Sequence, residues 1–150
     1  MDYLIRQATT DDAGAIAEFI HPIVKQFISH EFAQPSEQLM LGSLTASAIA
    51  GNIDSNYRYR ISINQNNDIV GVLGVRLPSH LFHLFVEPSL HGRGIGRALW
   101  QDYLQQTTER QFTLNSSKIA VGFYEKLGFE KQGSAIEKNG ILSYPMRLEL

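Results

Sequence analysis

The chain has no cysteine among its 150 residues. That excludes a disulfide framework, a thiolate zinc site and a cysteine nucleophile able to carry a covalent acyl group. Five histidines are present without ligand spacing, so no metal is expected. There is no basic block. Lysines and arginines are scattered, and the formal charge is −2, which argues against a nucleic-acid partner. The longest apolar runs, such as "IVGVLGV", fall far short of a membrane span. "MDYLIRQATTDD" has neither a positive n-region nor a long apolar h-region, so no signal peptide is expected and a cytoplasmic location is. No repeat, low-complexity segment or linker interrupts the chain. Residues 1–150 therefore read as a single domain, long enough to bury roughly 68–70% of its unfolded surface.

What is present reads as alternating elements. "YLIRQAT" is a first strand, and Thr9 or Thr10 caps a helix that Asp11 and Asp12 favour at its positive end. Apolar residues from Ala13 to Ile28 repeat at helical spacing, with Pro22 predicting a kink or two pieces. Residues 29–36 read as a loop, and a weaker helix runs from about Glu37 to Ala50. "YRYRISIN" alternates, placing Tyr57, Tyr59, Ile61 and Ile63 on one face. "IVGVLGVRL" and "LFHLFVEP" complete an antiparallel meander. A helix to about Gln106 follows, then the strand "RQFTLN". "SSKIAVGFYEKLGF" reads as a helix with a serine start and a stop at Gly128. Asn139-Gly140 marks a hairpin, and the last strand points Met146, Leu148 and Leu150 inward. The order β-α-α-β-β-β-α-β-α-β-β is a mixed α/β sheet. The helix between the fourth and fifth strands requires a crossover and lets those strands lie parallel.

Between them lies "VEPSLHGRGIGRALW", residues Val86 to Trp100, with Gly92, Gly94 and Gly96 at alternate positions. A helix start offers free N–H groups and partial positive charge, which bind phosphate. Glycine lets the backbone close on such a ligand, and Arg93 and Arg97 add charge. A dinucleotide fingerprint fails because positions 97 and 99 are arginine and leucine, and a P-loop fails because positions 97 and 98 are arginine and alanine. A glycine-rich surface turn is the plain alternative.

The segment resembles the acyl-CoA loop of the GNAT superfamily of N-acetyltransferases, with His91 where glutamine or arginine is usual. "NSSKIAVGFYEKLGF", residues Asn115 to Phe129, resembles that family's second motif, and "EKNGILSYPMRL" its closing hairpin. The resemblance covers roughly residues 60–150. It implies a GNAT-like acyl-CoA N-acyltransferase fold with a splayed parallel strand pair, and acetyl-CoA as cosubstrate. Phe85 and Val86 are then expected to present main-chain groups to the pantetheine arm. His91, Gly92, Arg93, Gly94, Ile95, Gly96 and Arg97 are expected to cradle the diphosphate, and Asn115 to bond the arm. Ser117 is a further candidate, or simply a helix N-cap. Tyr124 is the expected catalytic phenol, protonated at neutral pH and able to donate to the leaving sulfur. On spacing alone it also fits the apolar stripe of Ala120, Phe123 and Leu127, with Phe129 folding back across Gly128.

The amine must lose a proton. His83 is the candidate acceptor, on the same strand face as Phe85, with Glu87 and the pair His30-Glu31 as alternatives. An amide at or beside Val86 is the natural oxyanion donor. The reading is acetyl transfer to a primary amine by direct attack in a ternary complex, with a small-molecule acceptor, no nucleic-acid or membrane partner, and a monomer or homodimer. Its alternatives are a non-catalytic acyl-CoA sensor and an enzyme acting on protein N-termini or lysines.

Overall fold

A computed structural model describes residues 3–27, 38, 40–138 and 141–150. Strand β1 spans Leu4–Gln7. The Asp12 carboxylate accepts the Thr9 N–H at 2.8 Å, closing a 3-10 turn over Thr10–Asp12. It also binds both terminal nitrogens of Arg6, at 2.8 and 2.9 Å, which holds its pKa down at about 2. Helix α1, Ala13–Phe27, follows as one piece with Pro22 inside it. The expected division at Pro22 does not occur. Pro22 and Glu18 are both exposed, so water can satisfy the Glu18 carbonyl that the proline leaves without a donor.

The expected loop at 29–36 lies outside the described residues. The helix expected from about Glu37 to Ala50 is present but interrupted: residues 38 and 40–42 are helical, the chain turns at 43–45, and helix α2 spans Ala46–Asp54. Thr45 sets that start, accepting the Ala48 N–H at 3.2 Å. Strands β2 (Tyr57–Ile63), β3 (Ile69–Arg76) and β4 (His80–Val86) form the meander. Helix α3 spans Ile95–Gln106 and strand β5 spans Gln111–Ser116. Helix α4 is only Val121–Lys126, with Ala120 at its N-cap and no side-chain cap, so Ser117 does not cap it. The Ser117 carbonyl instead accepts the Ala120 N–H in the preceding turn. Gly128 ends α4 at φ +103. Strands β6 (Glu130–Lys131), β7 (Ile136–Lys138) and β8 (Ile141–Glu149) complete the chain. Asn139 and Gly140 are outside the described residues, but Lys138 pairs with Ile141 across them.

The sheet order is β1-β2-β3-β4-β5-β8-β6, with β7 on β8. Strands β4 and β5 are parallel and meet in only two register pairs, His80 with Thr113 and Leu81 with Leu114. Beyond them the strands part. One face carries α1 and α2 over Tyr59, Ile61, Ile63 and Val72. As expected, Tyr57, Tyr59, Ile61 and Ile63 share that face. The other carries α3 and α4 over Leu73, Leu81, Phe112, Leu114 and Met146, with Trp100 stacked on Tyr103 and edge-on to Phe112. Met146 and Leu148 are buried there, but Leu150 is 56% exposed, because it lies beyond the end of β8 at Glu149.

One irregularity positions the site. Gly74 pairs with His83, but Val75 pairs with Leu81, so Phe82 is an extra residue in β4. Such a bulge reverses the alternation beyond it. His80, His83 and Phe85 therefore all lie on the α1/α2 face, while Leu81 and Leu84 pack on the other.

Candidate active site

The gap between the diverging strands is lined by backbone. The Glu87 N–H bonds the Val70 carbonyl at 2.9 Å, which makes that opposed pair a hydrogen-bonded one. Opposed pairs alternate in an antiparallel ladder. Phe85, opposite Val72, is therefore bonded to β3, whereas Leu84 and Val86 turn their N–H and C=O toward the gap. The expectation that Phe85 offers main-chain groups to a ligand is thus corrected. Its backbone is committed to β3, and Leu84 and Val86 are the β4 residues whose backbone groups face the gap. The strand register, which sequence does not reveal, is the missing information.

His91 closes this end. Its Nε2–H donates to the Val86 carbonyl at 3.0 Å, tying the loop back to the strand it leaves. Gly92 and Gly94 sit at φ +82 and +81, and a Cβ built on either meets nothing within 4 Å. The conformation, not internal packing, calls for glycine at both, and the space beside them stays open. Gly94 is the N-cap of α3 with no side-chain cap, leaving the first amide groups of the helix available. Gly96 differs: it is buried, and a Cβ there would lie 3.0 Å from the Phe123 ring and 3.5 Å from Val86. Arg93 and Arg97 are exposed, and Ile95 is buried beneath the turn. A 560 Å³ cavity lined by Tyr3, Ile5, Ser62, Arg93, Gly94, Ile95 and Ala98 opens beside the loop. Bare backbone, a helix start and two arginines fit a diphosphate.

Tyr124 is 9% exposed on the α3/α4 side, edge-on to Phe123 and Phe129 at 5.4 and 6.0 Å. Phe129 does fold back across Gly128. Burial pushes the phenol pKa well above its ordinary value, keeping Tyr124 protonated. Asn115 is exposed at the end of β5, opposite Pro145.

The α1/α2 side holds a buried polar chain. Asn52 Nδ2 donates to the Tyr59 hydroxyl at 3.3 Å, and that hydroxyl lies 3.0 Å from His83 Nδ1. Tyr59 reaches His83 because the facing residue is Gly74, where a Cβ would lie 2.6 Å from the Tyr59 ring. Burial lowers the His83 pKa to about 4 and raises that of Tyr59 to about 12. His83 also packs on Phe82 and Phe85 at 4.4 and 5.6 Å. Glu87 lies elsewhere, in a 340 Å³ pocket with Glu18, Pro22 and Gln26 of α1. His30 and Glu31 lie outside the described residues. Sequence reasoning passed over Asn52, Tyr59 and Gly74, since only the paired strands bring them together.

Residues 7–150 match the family described as "Acetyltransferase (GNAT) domain", and the chain belongs to that family. Curated relatives match over shorter stretches. The chain is 32% identical over 74 residues to the peptidyl-lysine N-acetyltransferase YjaB of Escherichia coli (strain K12), covering 49% of this chain and 50% of YjaB. It is 37% identical over 59 residues to the glucosamine 6-phosphate N-acetyltransferase of Trypanosoma brucei brucei, covering 37% of this chain and 40% of that one. The chain thus spans about half or less of the length of these curated relatives. A GCN5-related N-acetyltransferase from Rhodopseudomonas palustris superposes with a TM-score of 0.83 at 18% identity, covering 100% of this chain and 97% of that one. The PaiA N-acetyltransferase of Thermoplasma acidophilum, in complex with coenzyme A, superposes with a TM-score of 0.82 at 13% identity, covering 100% of each chain. At those identities the likeness is one of fold. Among the described residues, no helix is long and apolar enough to cross a membrane, and no group of three or more potential ligands could hold a metal.

Proposed function

We propose that the protein transfers an acetyl group from acetyl-CoA to a primary amine, by direct attack in a ternary complex. The observation that carries this reading is the β4–β5 gap, which has the Leu84 and Val86 backbone turned toward it on one wall and a glycine-lined helix start without a side-chain cap at its mouth. Acetyl-CoA supplies the activated thioester. Leu84 and Val86 bind its pantetheine arm as an added strand, and Asn115 does so from β5. The turn from His91 to Arg97 holds the diphosphate. A backbone amide of β4 at the level of the thioester is the donor for a developing oxyanion.

Tyr124 works from the α3/α4 side. Its raised pKa keeps a proton available for the departing sulfur, and Phe123 and Phe129 fix the ring. His83 stands on the opposite side as a neutral hydrogen-bonding group, oriented by Tyr59. No cysteine exists to carry the acetyl group, which favours direct attack. The acceptor is a small amine in this reading. YjaB's description as a peptidyl-lysine acetyltransferase keeps lysine side chains as the second choice.

A screen of L-lysine, a lysine-containing peptide, glucosamine 6-phosphate and simple alkylamines, followed by release of free CoA, tests this. Acetylated amine appearing with stoichiometric CoA is the expected result. Binding of acetyl-CoA with no CoA release on any amine would make the protein a sensor instead.

A further inference from the structure

From the placement of His80 at the closed end of the β4–β5 gap, we infer that its Nε2 is the atom that takes the proton from the acceptor amine, with Thr113 as its positioning residue. This rests on the acetyl-transfer reading above.

The level of the reacting centre follows from length. The diphosphate cradle lies just beyond Val86, at the open end. From Val86 back to Leu81 is five residues, about 17 Å of strand. A pantetheine arm, with two amide units and a thiol-bearing tail, matches four to five extended residues, roughly 15–17 Å. Its sulfur therefore ends near the last register pairs, His80 with Thr113 and Leu81 with Leu114.

Two histidines stand at that level on the acceptor face. His83 is enclosed by Tyr59, Phe82 and Phe85 and is 7% exposed. Little of its surface meets solvent. His80 is only half-buried. Its Nδ1 lies 2.8 Å from Thr113 Oγ1 across the parallel pair. With Nδ1–H donating to the threonine oxygen, Nε2 carries the free lone pair. The ring is held against β5 by the side chain that the crossover brings beside it.

Among the described residues, β3 and β8 each bring an arginine to the level of His80. Arg76 of β3 is its register partner, and Arg147 of β8 flanks Thr113 but is paired with Glu149 at 2.5 Å. Burial and then Arg76 lower the His80 pKa, so the ring is neutral and able to accept at neutral pH. The step balances. One ammonium proton moves to Nε2, directly or through one water. The freed nitrogen lone pair forms the N–C bond, the C–S electron pair leaves with sulfur, and Tyr124 protonates it. The second nitrogen proton returns the phenolate to phenol. His80 then releases its proton to solvent.

The test is the pH profile of kcat/KM for the best amine in the panel, in the wild type, His80→Gln and Thr113→Val. Calorimetric CoA affinity serves as the check that each variant is folded. His80→Gln is expected to lose at least tenfold at neutral pH, with CoA affinity unchanged and a defect that shrinks as the pH approaches the amine's own pKa of about 10. Thr113→Val should lose less and should move the His80 imidazole titration, followed by NMR in the free protein. A wild-type profile in His80→Gln overturns the assignment, and so does a defect of equal size at every pH. A wild type that acetylates no amine overturns the acetyl-transfer reading itself, and the assignment falls with it.

Discussion

Buried His83 makes stability fall at a pH where carboxylates are still ionised. In the unfolded chain a histidine takes its proton near pH 6.5, whereas burial holds that of His83 to about 4. Its folded pKa is depressed, so below about pH 6.5 the unfolded state binds a proton that the native state refuses. Native stability is therefore complete above that pH and declines as the pH falls from 6.5 toward 4. At 1.36 kcal/mol per unit, the loss reaches about 2 kcal/mol by pH 5. With a urea m-value of roughly 1–3 kcal/mol/M, the midpoint drops by about 1 M. Other groups titrate over the same range, His80 among them with its pKa lowered in the same direction. The His83→Gln variant isolates the effect, because glutamine can still accept from Tyr59 but does not titrate. Urea unfolding of both proteins at about pH 7 and about pH 5 gives the double difference. Equal losses in the two proteins would refute a neutral, enclosed His83 and the polar chain built on it.

The fold was legible where periodicity or a terminating residue spoke for a whole element. The alternation of Tyr57, Tyr59, Ile61 and Ile63 predicted their common face because one side of β2 is covered by helices. Gly128 predicted the end of α4 because only a left-handed residue lets the chain reverse there. The helix expected over about 37–50 proved interrupted, because "LGSLTASAIA" is weakly apolar throughout and periodicity does not show the turn at 43–45, after which Thr45 caps α2. Strand β6 escaped because it has only two residues and exists through pairing with Arg147 and Met146.

The site was legible in its glycines and not in its register. Gly92 and Gly94 announce a backbone conformation that any reader of the sequence can weigh. Phe82, by contrast, carries no mark of the bulge it forms. Strict alternation would place His80 opposite His83. The extra residue brings them to one face, where one is enclosed and the other stays accessible. Leu84 was overlooked for a related reason: which carbonyls face the gap depends on the pairing phase with β3, a property of two strands together.

Two substitutions probe the two ends of the gap. Tyr124→Phe should lower kcat at least tenfold while CoA affinity stays near wild type, as single-turnover kinetics and calorimetry would show. Unchanged turnover would remove the phenol from the chemistry and leave Tyr124 a core residue beside Phe129. Gly94→Val separates ligand binding from folding at the cradle. Its Cβ meets no protein atom within 4 Å, so the structural cost is confined to φ +81, about 1–2 kcal/mol for a residue with a side chain. The same side chain projects into the space where a diphosphate would lie, so CoA affinity should fall by well over tenfold while the protein still melts cooperatively. Loss of stability and affinity in equal measure would mean that this glycine serves the turn alone, and that the open space beside it holds no phosphate.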